Sequence, residues 1–599
     1  MSEQQEIKSS DVTLKRLLTE LNYLFRVPNY QRHYVWTEKE VQLFLRDGEF
    51  CWRKYAEDGQ IFIHFAGQLI LRRMDSDREN RTRVEIIDGQ QRLTTFTLLV
   101  SAAIRMMQQQ GGCDKQIEAL EKTYLTAKSE FGDSQQILEL STADQAFWKL
   151  LTNTKRELPQ EVSSVESHKL LQKAEKVIYS QLEKLTAGKT SDEICDILSA
   201  YIDATAQSFR FVLLQTTQPG YMYALFQIVN DRGLPLTSGE LLKARIMEFF
   251  SAQPELADEA EQIWDDILKD AGTVTNRYLG WNYMAVTDRR AETRKGVMLH
   301  ELYEQDIFCC YNKRALSEEE KRVVKEQMEH LSANVARARV LERGVIPADG
   351  VSEYTKIMYE ALILLLKNTL SIPLYLKILE MNEKQIGKTI NNITPMLAKS
   401  FFIAKTMGGL HDESIARCYL EIWKYIDRNS ADIDAIRGCL ERLITKEGCK
   451  KEFVGKIKQD VYVHGASGNA KAKFLLLMLE LDHARKVETG QKECGDDSFK
   501  IHIQELSVEH ILKDSVDARD VSKHFYEGRE KIGNLTLIGK KLNSRLKNKD
   551  FENKREIYLA SPYWITREVG TLEHWIGKDF DARQKELVEA LKNMFEFLQ

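Results

Sequence analysis

The sequence predicts an α+β protein that is predominantly helical, with its strands confined to the two ends of the chain. Three observations support this prediction. Residues 1–250 alternate short apolar, β-branched runs with helical stretches, which is typical of an α/β domain. Residues 251–485 show almost only the apolar spacing of helices. Residues 486–599 return to strand-like runs, followed by a basic helix and an amphipathic end.

Composition narrows the classes of protein that fit the chain. The 599 residues carry a net charge of −5, so any nucleic-acid site has to be a local basic patch. The 9 cysteines include no C-x-x-C pair, which argues against a zinc ribbon and favours reduced thiols without a disulfide framework. The start of the chain lacks an apolar signal sequence, and no apolar run is long enough to span a bilayer. We therefore expect a cytoplasmic protein without membrane contact.

Strand-like runs with polar ends organise the first zone. The runs are "FRVPNYQRHYVW" (25–36), "HFAGQLILRR" (64–73), "VEIIDGQQR" (84–92) and "FRFVLLQT" (209–216). Residues 101–205 interrupt this pattern and look like a helical insertion. Residues 251–485 are predicted to be a helical scaffold between two working domains, and the polar stretch 488–498 has the composition of a linker.

The third run continues into a polar corner, Asp88-Gly89-Gln90-Gln91-Arg92, that joins a buried strand to a helix. A helix N-terminus offers free N–H groups and a partial positive charge, where phosphate binds readily. Gly89 permits close backbone approach, and the Arg92 guanidinium can contact two phosphate oxygens. The corner does not have the spacing of a Walker A loop. Two interpretations of this corner are therefore open. It is either a phosphate site, or a simple turn in which Asp88 caps the helix and Arg92 forms a salt bridge.

The first run has a similar polar character. Its part "VPNYQRHYVW" (27–36) interleaves Tyr30, Gln31, Arg32 and Trp36 in an extended stretch. Aromatic rings beside arginine can stack on bases while the arginine contacts phosphate. An ordinary amphipathic strand would show the same alternation, so both interpretations stay open.

A third polar stretch, "IVNDRGLPLTSGELLKARI" (228–246), follows the last strand-like run. Asn230 and Arg232 lie on a predicted turn, where a ligand role and a structural role are both open. Thr237 and Glu240 have the spacing of a capping box, which predicts that a helix begins there.

The C-terminal zone combines a histidine, a carboxylate and two amides. "SVEHIL" (507–512) ends a strand at Glu509-His510, and "NLTLI" begins the next strand at Asn534. A helix from about residue 542 presents Asn543 in its first turn. Imidazole can activate water near pH 7, and a cation can stabilise a leaving oxyanion, so the pattern predicts phosphodiester hydrolysis. A purely structural histidine is the alternative for His510 taken alone, and a solvated face is the alternative for the basic stretch 540–555.

Four N-terminal stretches together resemble the N-terminal domain of GmrSD-like modification-dependent restriction enzymes. They are, in order, "FRVPNYQRHYVW", "HFAGQLIL", "IIDGQQRLTTFTLL" and "FQIVNDRGLPLTSGELLKARI". The resemblance implies a ParB/sulfiredoxin-like fold over residues 1–250 that hydrolyses a nucleoside triphosphate, with GTP favoured. It implies that Gln68 and Arg32 lie near a nucleotide site, which would be formed by Asp88, Gly89, Gln90, Gln91 and Arg92.

The C-terminal pattern resembles the ββα-metal (HNH) nuclease domain of the same family, over residues 486–599. In this resemblance His510 matches the general base, Asn534 the residue that orients it, and Asn543 a metal ligand. Glu509 matches a second ligand, and Lys554 matches a catalytic basic position that Arg555 follows. Lys513-Asp514 stand where the family often has proline. The amide ligand implies an oxygen-preferring cation such as Mg²⁺.

The resemblance implies an NTP-hydrolysing endonuclease of an anti-phage restriction system, with phage or modified DNA as its partner. GmrSD-like enzymes attack glucosylated hydroxymethylcytosine DNA, whereas SspE-like enzymes respond to phosphorothioate DNA. The segment "PNYQRHYVW" resembles the phosphorothioate-sensing stretch of the second branch. Residues expected to sense DNA are Tyr30, Gln31, Arg32, Trp36, Asn230 and Arg232. A ParB-like DNA-binding regulator with an inactive nuclease domain is the alternative, and assembly into a homo-oligomer is left open.

Overall fold

The structure is a computed structural model that forms two compact units. It describes residues 8–28, 31–76, 82–128, 134–155, 163, 165–216, 237–250, 253–270, 272–290, 297–313, 315–464, 469–488, 501–513, 521–546 and 549–596. The first unit contains Met1–Asn276 and Val297–Ser332, and the second contains Arg277–Gly296 and Ala333–Gln599. The division into three functional domains, 1–250, 251–485 and 486–599, stays a prediction beside this division into units.

The strands lie near the two ends of the chain, as predicted. Their bounds are β1 Lys8–Thr13, β2 Tyr23–Arg26, β3 His64–Ser76, β4 Thr82–Asp88, β5 Thr126–Lys128, β6 Ser134–Gln136, β7 Leu138–Glu139, β8 Phe209–Thr216, β9 Leu506–His510 and β10 Leu535–Gly539. No strand occurs between β8 and β9 in the part of the chain that the structure describes. The α+β class with a helical middle is therefore confirmed.

Helices make up most of both units. The α-helices are Leu14–Thr19, Glu38–Asp58, Gln90–Gln110, Asp114–Leu120, Thr142–Thr152, Glu166–Thr186, Ser191–Ser208, Ser238–Phe250, Pro254–Ile267, Gly272–Thr287, Leu299–Asp306, Glu318–Glu342, Glu353–Glu360, Ile372–Ile378, Glu383–Phe401, Asp412–Trp423, Ile433–Thr445, Cys449–Lys456, Ala470–Glu488, Lys523–Glu527, Lys540–Leu546, Phe551–Leu559, Trp564–Gly570 and Gly577–Phe595. Three segments are π-helical: Glu121–Leu125, Ala361–Leu365 and Phe402–Met407. Short 3₁₀ segments are Thr369–Ser371, Lys446–Gly448, Ile503–Glu505 and Ile532–Asn534.

One mixed sheet organises the first unit, with strand order β1-β8-β3-β4-β2-β7. β3 is parallel to β8 and antiparallel to β4, and β4 is parallel to β2. Because side chains alternate along a strand, Leu69 and Leu71 pack into the main helical core while Ile70 contacts the opposite face. On that face Ile70 and Ile87 pack with Leu241. Apolar residues thus pack on both faces of the sheet. Asp88, the last residue of β4, lies at the edge of this apolar core.

The predicted strand over residues 25–36 is wrong beyond Arg26, where β2 ends. Pro28 follows shortly and has no N–H to donate to a strand ladder. Residues 31–37 are irregular. In place of a strand ladder, the N–H groups of Val35 and Trp36 donate to a side chain, that of Gln91. Residues 31–36, whose sequence pattern predicted a strand, therefore form a loop whose backbone is hydrogen-bonded by a side chain.

The insertion over residues 101–205 is mainly helical, as predicted, but it also contains β5, β6 and β7. β7 joins the main sheet beside β2. The capping box after β8 is confirmed, because Thr237 N–H donates to Glu240 Oε2 at 2.7 Å and Glu240 N–H donates to Thr237 Oγ1 at 3.3 Å. The helix Ser238–Phe250 begins there.

In the second unit β9 and β10 form an antiparallel pair, with Leu535 opposite His510. The basic stretch 540–555 forms parts of two helices, Lys540–Leu546 and Phe551–Leu559. Tyr558 and Leu546 are fully buried in a small core with Trp575. This core holds the end of β9, which carries His510.

The cysteines differ from the expectation of reduced thiols at one position. Cys113 and Cys195 are joined by a disulfide, and their Cα atoms are 5.8 Å apart. Both residues are buried, one before the helix Asp114–Leu120 and one in the helix Ser191–Ser208. None of the helices that the structure describes is long and apolar enough to cross a membrane.

Candidate functional site

The strand-to-helix corner depends on the backbone conformation of Gly89. Its φ is +100°, a conformation that side chains other than glycine rarely adopt. A Cβ atom at this position would clash with Leu69 Cδ1, and Leu69 is fully buried. Gly89 therefore lets the chain turn from β4 into the helix Gln90–Gln110 while passing directly over β3.

Replacing Gly89 by alanine should lower the melting temperature of the protein. The left-handed backbone costs about 1–2 kcal/mol for an L residue, and the clash with Leu69 adds to that cost. Gly59 offers a matched control, because its φ is also positive, +67°, and nothing lies within 4 Å of the position that a Cβ atom would take there. Thermal unfolding should show a larger decrease for Gly89→Ala than for Gly59→Ala. Equal decreases would mean that the contact with Leu69 is relieved without cost.

The two glutamines of the corner bind the segment of residues 31–36, called here the 31–36 segment. Gln91 Oε1 accepts from the N–H groups of Val35 at 3.0 Å and Trp36 at 3.4 Å, and Gln91 Nε2 donates to the His33 carbonyl at 3.2 Å. Gln90 Nε2 donates to the Arg32 carbonyl. Both glutamines are buried. The corner and the 31–36 segment therefore form one hydrogen-bonded structure.

Other predicted sensing residues in the first run also contact this structure. Gln31 is buried, and its Nε2 donates to the Ile87 carbonyl at 2.9 Å, at the end of β4. The Trp36 ring packs against Phe44, with ring centroids 6.0 Å apart. Arg32 is half-buried. Tyr30, Asn230 and Arg232 lie outside the described residues.

Arg92 is held between the sheet and Asp88. Its guanidinium donates to the Ala66 carbonyl and lies 3.4 Å from Asp88 Oδ2. Burial lowers the pKa of the Arg92 guanidinium, and the Asp88 carboxylate opposes that shift. Gly67 leaves room for this arrangement, since a Cβ there would clash with Arg92 Nη1. The Arg92 side chain keeps one fifth of its surface exposed, at 20%, so a phosphate can still reach it.

The prediction that a strand-to-helix corner lies at Asp88, Gly89, Gln90, Gln91 and Arg92 is thus confirmed, while their role as a nucleotide site stays a prediction. Gln68 lies in β3, half-buried, paired with Val212 of β8 and next to Gly67. The hydrogen bonds of the two glutamines are with protein backbone. The other polar atom of the Gln90 amide, Oε1, is buried and has no hydrogen-bond partner among the described residues.

A second site lies at the end of β9 in the second unit. His510 is buried, and its Nε2 lies 3.0 Å from Glu530 Oε2. The other oxygen of this carboxylate, Oε1, lies 2.8 Å from Nε2 of His464. Burial alone would raise the pKa of the Glu530 carboxyl, but the hydrogen bonds from His510 and His464 outweigh it and lower that pKa. Glu530 is therefore ionised at neutral pH and accepts from both imidazoles.

Asn534 fixes the chain directly after His510. It is fully buried, and its Oδ1 accepts from Leu512 N–H at 2.9 Å and from Trp575 Nε1 at 3.0 Å. Its carbonyl accepts from Ile511 N–H at 2.9 Å. These bonds fix the backbone at the end of β9, directly after His510.

Asn543 lies on the helix Lys540–Leu546 and faces β9. Its Nδ2 donates to Ser507 Oγ at 2.6 Å and to the Val508 carbonyl at 2.9 Å. With the nitrogen held by the strand, the amide oxygen is the atom that can bind a cation. Val508 precedes His510 by two residues, about 7 Å along a strand.

Glu509 and Lys554 form a buried ion pair on the other side of β9 from the His510 ring. Lys554 Nζ lies 2.6 Å from Glu509 Oε1 and donates to the His510 carbonyl at 2.6 Å. Tyr558 OH approaches Glu509 Oε1 at 3.5 Å. The neighbouring Arg555 donates to the Gly570 carbonyl at 3.1 Å. The Glu509 carboxylate is thus paired with the Lys554 ammonium.

Two residues beside His510 were not predicted from the sequence: His464 and Glu530. They are 46 residues before and 20 residues after His510 in the numbering, too far apart for any local spacing to reveal. The one signal in the sequence is that Glu530 lies four residues before Asn534, in the same turn that begins β10.

Comparison with protein families gives two matches. Residues 14–247 match the GmrSD restriction endonuclease N-terminal domain, and residues 451–590 match the GmrSD restriction endonuclease C-terminal domain. The first match contains the corner at Asp88, and the second contains His464, His510 and Glu530. No curated protein matches the chain.

Proposed function

Because the chain belongs to the GmrSD-like restriction endonucleases, we propose that it is an NTP-hydrolysing DNA endonuclease that responds to modified DNA and cuts at His510. The observation that carries this proposal is the hydrogen bond between His510 Nε2 and an ionised Glu530. It places a buried, oriented imidazole at the end of a strand in the matched nuclease domain.

The proposed mechanism follows from the position of the hydrogen on the imidazole. Since the Glu530 carboxylate can only accept, Nε2 of His510 carries the ring hydrogen, and Nδ1 keeps its lone pair. Nδ1 is then the atom that takes a proton from the attacking water. Glu530 is a positioning residue, and Asn534 fixes the backbone on which the imidazole stands.

A basic face beside this site supports DNA as the substrate. Lys540, Lys541 and Arg545 are exposed on the helix that Asn543 ties to β9. Lys549 is also exposed, just beyond that helix. Cations along one face can follow a phosphate backbone, which contributes affinity without sequence preference. We propose an HNH-type arrangement in which this face holds the strand that His510 attacks.

The two predicted cation ligands fit Mg²⁺ unequally. The Asn543 oxygen is a hard donor and suits it. The Glu509 carboxylate is buried and already paired with the Lys554 ammonium, so a second cation there would be repelled. When bound, a divalent cation would stabilise the leaving oxyanion. We propose Asn543 as its principal protein ligand.

Replacing Asn543 by alanine should raise the Mg²⁺ concentration needed for half-maximal nicking, because the amide oxygen is lost. Asn543→Asp loses the hydrogen bond to the Val508 carbonyl but keeps an oxygen ligand and adds a negative charge, so it should need no more Mg²⁺ than wild type. Ser544→Ala is the control on the same helix, since its exposed hydroxyl donates to the Lys541 carbonyl within that helix. An aspartate variant as impaired as the alanine variant would assign Asn543 to packing alone.

We propose that the corner at Asp88 binds the phosphates of the nucleotide. The helix Gln90–Gln110 is 21 residues long and presents its first N–H groups there, and Arg92 supplies a partly exposed charge. GTP is the proposed substrate. In this arrangement the glutamines hold the 31–36 segment and shape the corner.

Replacing Arg92 by alanine should remove NTP hydrolysis and weaken nucleotide binding, since the guanidinium is the charge that the corner offers to phosphate. Arg92→Lys keeps a charge without the planar fork and should bind with intermediate affinity. Arg53→Ala is the control, because Arg53 pairs with Glu49 on an exposed helix face. Calorimetry with GTP and a phosphate-release assay test this. Undiminished binding and turnover would place the phosphate site elsewhere.

We further propose that the 31–36 segment, with Tyr30, contributes to sensing of the modification. The decisive experiment measures cleavage and NTP hydrolysis on unmodified, glucosylated hydroxymethylcytosine and phosphorothioate DNA, with Mg²⁺ or with EDTA. One modified duplex should change both rates, and EDTA should stop cleavage. Sequence-independent DNA binding without cleavage on any duplex would instead support a ParB-like regulator.

A further inference from the structure

His464, Glu530 and His510 form a compact group of metal-ligating atoms, called here the His–Glu–His cluster. One ligand atom from each of the three residues, a ring nitrogen or a carboxylate oxygen, lies within 4.8 Å of the other two. The His464 and His510 rings are parallel, with centroids 5.8 Å apart and an angle of 4° between them. Both rings direct Nε2 at the same carboxylate. Three ligands are therefore arranged around one small volume.

The backbone holds this cluster in place. Glu530 accepts through its carbonyl from Val461 N–H at 3.0 Å and from Tyr462 N–H at 3.3 Å. Asp460 and Lys531 form an antiparallel bridge beside these bonds. The segment that carries His464 is thus paired with the segment that carries Glu530. Backbone pairing therefore fixes the spacing between His464 and Glu530.

The exposure of the three side chains suits the entry of a cation. The His464 side chain is 60% exposed, whereas those of Glu530 and His510 are 18% and 9% exposed. One ligand therefore lies on the solvent side and two lie at the base. A cation can enter past His464 and keep water in its remaining coordination positions.

The donor set selects among divalent cations. Two imidazole nitrogens and one carboxylate oxygen suit Zn²⁺ and neighbouring transition metals, with bonds of about 2.0–2.2 Å, whereas Mg²⁺ prefers oxygen ligands only. We propose that the His–Glu–His cluster binds one Zn²⁺-class cation, at a site distinct from the oxygen ligand of Asn543.

Occupancy of this site has a consequence that rests on the proposed function. Zn²⁺ binds the Nε2 lone pair of His510, so the ring hydrogen must leave Nε2 and the neutral ring carries its hydrogen on Nδ1. Nδ1 then has no lone pair to accept a proton from water. Zn²⁺ binding and use of His510 as general base therefore exclude each other, and Zn²⁺ inhibits the Mg²⁺-supported cleavage.

Titration of the full-length, chelator-treated protein with ZnSO₄ tests the site directly. His464→Ala and Glu530→Gln should each weaken binding by about tenfold or more. His524→Ala is the matched control, because His524 is exposed and pairs at 2.8 Å with the carboxylate of Asp581, outside the His–Glu–His cluster. The proposal is overturned if Zn²⁺ affinity is unchanged in both cluster variants, or falls equally in the control.

Inhibition tests the consequence separately. In Mg²⁺, His464→Ala should need at least about tenfold more Zn²⁺ than wild type for half-maximal inhibition, with each protein compared with its own rate in the absence of Zn²⁺. If Zn²⁺ inhibited His464→Ala at the same concentration as wild type, Zn²⁺ in the cluster would not be what blocks His510 as general base. The assignment of the domain as a nuclease would be unaffected by that result. A wild-type protein that cuts no DNA would overturn the proposed function, while the titration would still decide the metal site.

Discussion

Replacing His510 by alanine is expected to lower DNA cleavage by about 10²–10⁴-fold, the usual effect of removing a general base. The imidazole is buried, oriented by Glu530 at 3.0 Å, and stands on a backbone fixed by Asn534. Folding should be largely retained, because the strand pairing of β9 with β10 does not involve the side chain. Plasmid nicking in Mg²⁺, with a melting curve beside it, measures both quantities.

Two comparisons make the His510 result interpretable. His524→Ala, at the exposed pair with Asp581, should cleave as wild type does. NTP hydrolysis should survive in His510→Ala, because the corner at Asp88 lies in the other compact unit. Cleavage within tenfold of wild type would remove His510 from the mechanism.

Replacing Lys554 by methionine is expected to destabilise the second unit by about 3–5 kcal/mol, the cost of breaking a buried ion pair by removing one partner. Lys554 is 1% exposed and Glu509 is 6% exposed, so the Glu509 carboxylate would stay buried without its cation. The hydrogen bond from Lys554 Nζ to the His510 carbonyl would be lost as well. Thermal or denaturant unfolding should show the loss, and cleavage should fall with it.

A double variant separates the ion pair from its surroundings. Lys554→Met with Glu509→Gln removes both charges and should recover part of the lost stability. Lys513→Met breaks the more exposed pair with Asp550, 2.7 Å apart, and should stay within the roughly 1 kcal/mol typical of such pairs. If Lys554→Met lowered the free energy of unfolding no more than Lys513→Met does, burial would not be the reason that the Lys554–Glu509 pair stabilises the protein.

Local patterns in the sequence predicted the elements well where apolar spacing alone determines them. β8 occupies residues 209–216, the full length of its strand-like run, and β4 is followed after Gly89 by the helix that begins at Gln90. The capping box of Thr237 and Glu240 formed because both of its partners lie within one turn. Each of these features depends on residues that are close in the chain.

Features that depend on distant partners were not predictable in the same way. The 31–36 segment has a strand-like alternation, but Gln91, more than fifty residues away, satisfies its backbone N–H groups instead of a neighbouring strand. Glu509 and His510 are adjacent in sequence, yet alternation along β9 gives them different partners, Lys554 and Glu530. The sequence motif singled out Glu509 and His510 but not the residues that they contact.

The hydrogen bonds between Gln91 and the 31–36 segment have a thermodynamic consequence. A ligand at the corner that shifts Gln91 must also change the bonds to Val35, Trp36 and the His33 carbonyl. Any resulting change in affinity for a second ligand on the 31–36 segment is a coupling free energy, and linkage requires the same value in both directions. If DNA on this segment tightens nucleotide binding by some factor, the nucleotide must tighten DNA binding by that factor. Two pairs of equilibrium titrations measure this factor independently. Nucleotide is titrated with and without saturating DNA, and DNA is titrated with and without saturating nucleotide.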